Sequence, residues 1–250
     1  MSAFKRLPAV RATYQCLRPL LPSSPVRLIG NYVRFWRDYF GYRRLPGAEA
    51  CRLADVDAQI ADRQATTPIS YYFFQDTWAF HKIVQARPAE HLDVGSTALL
   101  VGCLAGVLPT ISLDFRPLPV KLNGLRTMSG SITALPFASD SVASISSLCV
   151  IEHIGLGRYG DPLDPEGTRK AARELSRVLA PGGNLYVSAP CGRSFVAFNA
   201  HRSFSREEFI GFFPALTLKE FVLVNHRGTT DQADPNPQAG LHVGLFHFTK

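Results

Sequence analysis

Two aspartates and a glycine stand at the ends of short apolar segments that have the character of buried strands. Asp93 and Gly95 end the first segment, and Asp114 ends the second, 21 residues after Asp93. In an open parallel sheet, ligands bind beyond the carboxyl ends of the strands. A glycine there lets the backbone approach a ligand, and a carboxylate at the next strand end can accept hydrogen bonds from both hydroxyls of a ribose. The spacing predicts a nucleoside site, with Asp93 placed to meet a cationic group of the ligand.

Histidine suits the removal of a proton from an acceptor oxygen, because its ordinary pKa lies close to neutral pH. His153 comes just after a predicted strand and has Glu152 beside it, while His201 follows a later strand at the same sheet edge. We predict His153 as a general base, with Glu152 and His201 as further catalytic candidates. The alternative for His153 is a structural hydrogen bond to the backbone of its turn.

A glycine-rich loop after His153 carries Arg158, Tyr159 and Asp161. Loops on a rigid scaffold often hold binding residues, so these three side chains are candidates to line a substrate site. They would equally serve to hold the turns of the loop itself. Cys191 suggests a nucleophilic thiol, but nothing near it in the sequence indicates a lowered pKa, and an inert buried thiol is the preferred interpretation.

The elements that must position these residues alternate from about residue 90 onwards. Short apolar segments predict strands, and the helical segments between them predict βαβ units around a parallel sheet. The fold class is therefore α/β, a Rossmann-like doubly wound sheet that is mostly parallel, with an antiparallel last strand and an N-terminal helical arm. The predicted strands are His91–Val94, Thr110–Asp114, Leu125–Met128, Val142–Cys149, Asn184–Ser188, Leu216–Asn225 and Leu241–Thr249, with a polar segment at 227–240 before the last.

Helical spacing of apolar residues predicts helices over Val26–Phe40, Ser70–Gln85 and Pro165–Leu179. Pro181–Gly183 is expected to stop the third, and Ser205–Glu208 has the pattern of a capping box that opens another helix. The uncharged segment Gly95–Leu113 approaches the length of a membrane span. Its glycines and proline favour a strand-turn-helix-strand unit within the sheet instead.

Positive charge is concentrated at the N-terminus. Residues 1–45 contain nine Lys and Arg against one Asp, a net charge of +8, and the remaining residues sum to −1. We divide the chain into a basic, aromatic helical arm at 1–67 and a main domain at 68–250. The amphipathic helix of the arm has two interpretations: it packs on the main domain, or residues 1–45 contact an anionic membrane surface or an acidic partner.

Several classes of function are disfavoured. The five cysteines are scattered, without a Cys-x-x-Cys pair or a histidine cluster, which argues against a metal site and for a reducing, cytoplasmic compartment. No Asn/Asp-Pro-Pro-aromatic motif is present, and the basic residues lie outside the main domain, so a nucleic-acid partner is not expected. Lys5 and Arg6 are not followed by a sustained apolar run, and we predict no signal peptide.

Ordered motifs in the second half of the chain carry a resemblance. Gly130–Phe137 ends in Leu-Pro-Phe, the next strand runs into Glu152–His153, and Glu174–Gly183 contains Arg-Val-Leu-Ala-Pro-Gly-Gly. With the first-strand glycine and the second-strand acid, this order resembles the class I S-adenosylmethionine-dependent methyltransferases over about residues 70 to 248. Glu152–Pro162 resembles, more narrowly, the signature of an uncharacterised methyltransferase-like family of unknown function.

The resemblance implies that S-adenosylmethionine is the cofactor. It implies a set of contacts in which Asp114 takes the ribose, and Ser131 with Ile132 borders the adenine. The residues at the methionine end and the adjoining strand end would be Asp93, Gly95, Ser96 and Leu148.

Two functional hypotheses follow. In the first, the protein transfers a methyl group to an oxygen of a small molecule or glycan, with a histidine as general base. In the second, it keeps the fold as a catalytically inactive binding or scaffold protein. The second is motivated by Ser96–Ala98, which stand where the family has further glycines, and by Ser131, which replaces the family's adenine-binding acid.

Overall fold

The computed structural model describes residues 25–48, 51–56, 58, 69–229 and 242–250 of the chain. The chain divides into two compact units, Met1–Thr67 and Pro68–Lys250. Most of the polar segment predicted at 227–240, the first residue of the last predicted strand and residues 1–24 of the arm lie outside the described residues.

In the first unit, helix α1 spans Pro25–Tyr42, slightly longer than predicted, and a 3₁₀ turn follows at Leu53–Asp55. The apolar stripe of α1 is largely open to solvent: Ile29 is 64% exposed, Val33 66% and Phe40 53%. Tyr39, in contrast, is buried. Burial of the apolar face is what usually stabilises an amphipathic helix.

The second unit is built on an eight-stranded sheet in the order β3-β2-β1-β4-β5-β10-β8-β9. The pairs from β3 to β5 are parallel, and the last strand, β10, runs antiparallel between β5 and β8. The predicted fold class, a Rossmann-like and mostly parallel sheet with an antiparallel last strand, is confirmed. The strands are β1 His91–Val94, β2 Thr110–Asp114, β3 Leu125–Ser129, β4 Val142–Leu148, β5 Leu179–Pro190, β6 Phe195–Ala197, β7 His201–Ser203, β8 Thr217–Asn225, β9 Gly228–Thr229 and β10 Val243–Thr249.

Helices pack on both faces of this sheet. Consecutive residues of a strand point to opposite faces, and Leu185 and Tyr186 of β5 accordingly belong to two different core clusters. Helices α2 and α3 cover the face of Tyr186, whereas α4 and α5 cover the face of Leu185. The helices are α2 Tyr71–Ala86, α3 Ala98–Ala105, α4 Gly167–Val178 and α5 Arg206–Ile210.

The segment Gly95–Leu113 forms the turn after β1, helix α3 and most of β2, as the strand-turn-helix-strand prediction required. Thr97 caps α3, and its side chain accepts a hydrogen bond from the Leu100 N–H at 3.3 Å. Within the described part of the chain, no helix has the length and apolar character needed to span a membrane.

Two helix boundaries differ in detail from the prediction. Helix α4 ends at Val178, and Pro181–Gly183 lies inside β5, where the pairing with β4 shifts register. At α5, Ser205 caps the Glu208 N–H as expected, at 3.1 Å. The Glu208 carboxylate does not return to the Ser205 N–H directly, because the Ser194 hydroxyl lies between them: it accepts from Ser205 and donates to Glu208.

Candidate functional site

A cavity of about 360 Å³ opens at the carboxyl ends of β1 to β4. The chain passes from β1 to β2 and β3 on one side and then crosses to β4 on the other, so this edge is the switch point of the sheet. The volume falls in the range of small-molecule sites. Seven of the predicted site residues line it: Gly95, Asp114, Ser131, Ile132, His153, Tyr159 and Asp161.

Three predicted cofactor residues form a hydrogen-bonded set beside the cavity and do not line it. Asp93 is fully buried, and its Oδ2 accepts the Ser96 N–H at 3.0 Å. The Ser96 hydroxyl in turn accepts the Leu148 N–H at 3.1 Å, which ties the turn after β1 to the end of β4. Burial raises the pKa of Asp93 to about 6.

Gly95 occupies the centre of that turn with a φ of +75°, a conformation that costs free energy for residues with a side chain. A Cβ built there would lie 3.1 Å from Val150 Cγ1 and 3.6 Å from Asp114 Oδ2. The glycine therefore keeps the backbone close to the cavity and opposite the carboxylate of Asp114.

Asp114 ends β2 on the wall of the cavity. Its Oδ1 accepts the backbone N–H of Arg116 at 2.7 Å, which fixes the orientation of the carboxylate. Ser131 and Ile132 follow β3 on the same wall. The Ser131 Oγ accepts the Thr133 N–H at 3.2 Å, so this serine is engaged in its own turn while lining the cavity.

His153 lines the cavity in a defined tautomer. Its Nδ1 lies 2.7 Å from the carbonyl oxygen of Ala200, which only accepts hydrogen bonds, so Nδ1 carries the proton in the neutral ring and Nε2 holds a lone pair. Burial, together with a smaller effect of the charge of Arg158, lowers the pKa of His153 to about 4. The ring is therefore neutral at pH 7, as a general base requires.

Glu152 and His201 do not line the cavity. The Glu152 carboxyl is buried, its Oε2 has no hydrogen-bond partner among the described residues, and burial raises its pKa to about 8. Its Oε1 lies 3.7 Å from His153 Nε2, beyond hydrogen-bonding distance. His201 begins β7, and the centroid of its ring lies 5.9 Å from that of Phe195. Burial lowers the pKa of His201.

The loop after His153 is held to the rest of the unit by a buried arginine, Arg202. Its Nη1 donates to the Ile154 carbonyl at 2.6 Å, and its Nη2 donates to the Asp164 carbonyl at 3.2 Å. Within the loop, Asp161 accepts the N–H of Gly155 at 2.6 Å, so this carboxylate holds a turn and lines the cavity at once.

Sequence reasoning did not single out Arg116 or Cys149 as site residues, yet both line the cavity. Arg116 lies two residues after Asp114, and this position is the only feature of the sequence that could have indicated a site residue there. Cys149 has a φ of +54°, and burial raises the pKa of its thiol well above the ordinary value. Cys191 is outside the cavity lining, and burial raises its pKa to about 11, which matches an inert thiol.

Comparison with known proteins gives a family model and a fold. Residues 132–211 match the model of a family described as Caenorhabditis protein of unknown function, DUF268. None of the curated proteins compared with the chain matches it.

Similar solved structures include an N1-methyltransferase of 1,6-didemethyltoxoflavin from Burkholderia thailandensis, solved with that compound and S-adenosylhomocysteine. It is 15% identical, with 92% of each chain covered and a TM-score of 0.52. The N-methyltransferase NodS from Bradyrhizobium japonicum, in complex with S-adenosylhomocysteine, is 14% identical, with 86% of this chain and 97% of that chain covered and a TM-score of 0.52. At these identities the likeness establishes the shared methyltransferase-type fold.

Proposed function

We propose that the protein is an S-adenosylmethionine-dependent methyltransferase that methylates an oxygen of a small molecule or glycan. The observation that carries the proposal is the cavity at the switch point, where Asp114 faces the glycine turn of β1. The fold shared with methyltransferases solved with S-adenosylhomocysteine supports it.

The residues present fit the cofactor. Asp114 would accept from the ribose hydroxyls, Gly95 would admit the methionine end, and Ser131 and Ile132 would border the adenine. Asp93, Ser96 and Leu148 would act through the hydrogen bonds that hold the glycine turn in place. When bound, S-adenosylmethionine supplies an activated methyl group, so the protein's task is positioning and proton removal.

His153 would take the proton of the acceptor hydroxyl on Nε2. The Ala200 carbonyl, which already accepts from Nδ1–H, would stabilise the charged ring that results. His201 and Glu152 support this role less directly, since neither lines the cavity.

The first test is calorimetric titration of the full chain with S-adenosylhomocysteine. We expect micromolar binding that Asp114→Ala abolishes, because the variant loses both ribose acceptors. Asp55→Ala removes an exposed carboxylate in the other unit and should leave binding unchanged. Folded wild-type protein that does not bind would overturn the proposal.

The alternative is an inactive binding or scaffold protein with this fold. It draws on Ser131 and on the turn after Gly95, where the family has an acid and further glycines. Cell extract incubated with the protein and methyl-labelled S-adenosylmethionine separates the two. Methyltransferase function predicts a labelled product whose rate falls about 10²–10⁴-fold in His153→Gln. The scaffold alternative predicts no product at saturating cofactor.

We also propose that residues 1–45 contact an anionic membrane surface. The net charge of +8 and the exposed apolar residues Ile29, Val33 and Phe40 of α1 support this contact. The full chain should sediment with phosphatidylserine vesicles, less so in high salt, and Val33→Glu should release it. Sedimentation that neither salt nor Val33→Glu changes would contradict the contact.

A further inference from the structure

Two arginine side chains share one aromatic ring at the rim of the cavity. The guanidinium carbon of Arg116 lies 5.0 Å from the centroid of the Tyr159 ring, and that of Arg158 lies 5.1 Å from it. The two guanidinium carbons therefore lie at most about 10 Å apart. The same ring lies nearly perpendicular to the His153 ring, with centroids 5.6 Å apart.

Carboxylates lie near these two arginines without pairing with them directly. Among the described residues, neither guanidinium has a carboxylate oxygen within 4.0 Å, and Arg158 donates to the carbonyl of Ala200 at 2.8 Å. Asp161 is occupied by backbone N–H groups, and Asp164 pairs with Lys170 at 2.7 Å. Among the described residues, the rim therefore holds two positive charges at most about 10 Å apart, neither of them paired directly with a carboxylate.

Such an arrangement has a cost that a bound anion would remove. Like charges within about 10 Å of each other repel, and an anion held between them would relieve that repulsion. A guanidinium presents a planar set of donors that matches carboxylate and phosphate oxygens. Arg116 itself lines the cavity, so an anion held there would lie inside the candidate site.

We propose that the methyl acceptor carries an anionic group, a carboxylate or a phosphate, that Arg116 and Arg158 hold beside His153. The inference rests on the proposed function, whose acceptor class it names. Tyr159 serves as the platform that sets the two guanidiniums at the rim. A bound anion would also offset the charge of Arg158, which lowers the pKa of His153, and so make that base stronger when substrate is present.

The test is an NMR titration of the full chain that follows the His153 ring, with the signal assigned by its loss in His153→Gln. The probes are phenyl phosphate, benzoate and the uncharged benzyl alcohol, at constant ionic strength. We expect at least one of the two anions to shift the signal with an affinity tenfold or more above that of the alcohol. The stronger anion distinguishes a phosphate from a carboxylate acceptor.

Arg116→Gln and Arg158→Gln should each weaken anion binding at least tenfold. Arg206→Gln is the matched control, since its guanidinium also lies 5.1 Å from an aromatic centroid, that of Phe221, away from the cavity lining. It should change the affinity less than twofold. Anions that bind no better than the alcohol, or that bind both arginine variants as tightly as wild type, would overturn the inference.

Titration with S-adenosylhomocysteine separates this inference from the proposed function. Cofactor-product binding without anion binding would overturn the anionic acceptor and leave the methyltransferase proposal standing. Anion binding without cofactor-product binding would support the arginine site and overturn methyl transfer. Asp114→Ala should abolish the first kind of binding and spare the second.

Discussion

Asp93 and Asp114 end neighbouring strands of one sheet and have opposite surroundings. Asp93 has no exposed surface, and its Oδ1 accepts the Ser146 hydroxyl at 2.5 Å. Asp114 is partly exposed on the cavity wall, and its carboxylate accepts the backbone N–H of Arg116. A carboxylate at a strand end is thus either part of the scaffold or available to a ligand, according to its depth.

The register of the parallel strands explains the difference in depth. Asp93 pairs with Ser112, so Asp114 lies two residues farther toward the carboxyl edge, about 6–7 Å at the rise of a β-strand. Asp93 also pairs with Ser146 of β4 on its other side. Asp93 is therefore covered by a neighbouring strand on each side, whereas Asp114 lies beyond it, toward the carboxyl edge of the sheet.

The buried side continues into a chain of hydrogen bonds. Ser146 donates its single hydroxyl proton to Asp93, so His91 Nε2, at 2.9 Å, must donate to Ser146. His91 Nδ1 then accepts from the Ser144 hydroxyl at 2.8 Å. Burial lowers the pKa of His91 to about 3, which keeps the ring neutral and the chain intact at pH 7.

Replacing one serine on each side should separate the two regions most strongly. Ser146→Ala leaves both Asp93 and His91 short of a buried partner, and we expect a loss of about 3 kcal/mol in unfolding free energy. Ser131→Ala removes a hydroxyl from the cavity wall, where water replaces it, and should cost about 0.5 kcal/mol. Urea unfolding measures both, and equal losses would show that depth does not distinguish the regions.

A second buried carboxyl, that of Glu152, should make the stability depend on pH. Its folded pKa of about 8 lies above the ordinary value of 4.5, so between these values the folded state holds a proton that the unfolded state lacks. The free energy of unfolding is therefore highest at low pH, and it falls as the pH rises from about 4.5 toward 8. Relative to Glu152→Gln, wild type should lose up to about 1.4 kcal/mol per pH unit between pH 5 and 8. An unfolding free energy that varies with pH in the same way in wild type and Glu152→Gln would contradict the raised pKa.

Replacing each of two glycines by alanine compares a position at the cavity with one away from it. Gly95 and Gly182 both have a positive φ, +75° and +73°, so each substitution should cost about 1 kcal/mol of stability. A Cβ at Gly182 meets nothing within 4 Å, whereas one at Gly95 crowds Val150 at the cavity. Only Gly95→Ala should weaken S-adenosylhomocysteine binding, by tenfold or more in calorimetry. A similar loss of binding in Gly182→Ala would show that the backbone strain of either substitution, and not contact at the cavity, weakens binding.

The sequence predicts the sheet well and the site in part. Strand patterns and the glycine turn locate β1 to β4 to within one residue and the second half of β5, and the buried strands β1 and β2 read as apolar runs. Asp93 and Asp114 look alike in sequence, since only the pairing register places one deeper than the other. The bond from His153 to Ala200 and the contact of Arg116 with Tyr159 join residues far apart in the chain. No local pattern encodes such contacts.

The anchor of the His153 loop has a consequence for its motion. Arg202 meets Ile154 and Asp164 through backbone carbonyl oxygens, which neither gain nor lose a proton. A carbonyl carries no net charge, so these two hydrogen bonds should be less sensitive to dissolved salt than an exposed ion pair. Amide hydrogen exchange of residues 153–164 should therefore vary with ionic strength mainly through the ion pair of Asp164 with Lys170, while the attachment by Arg202 persists.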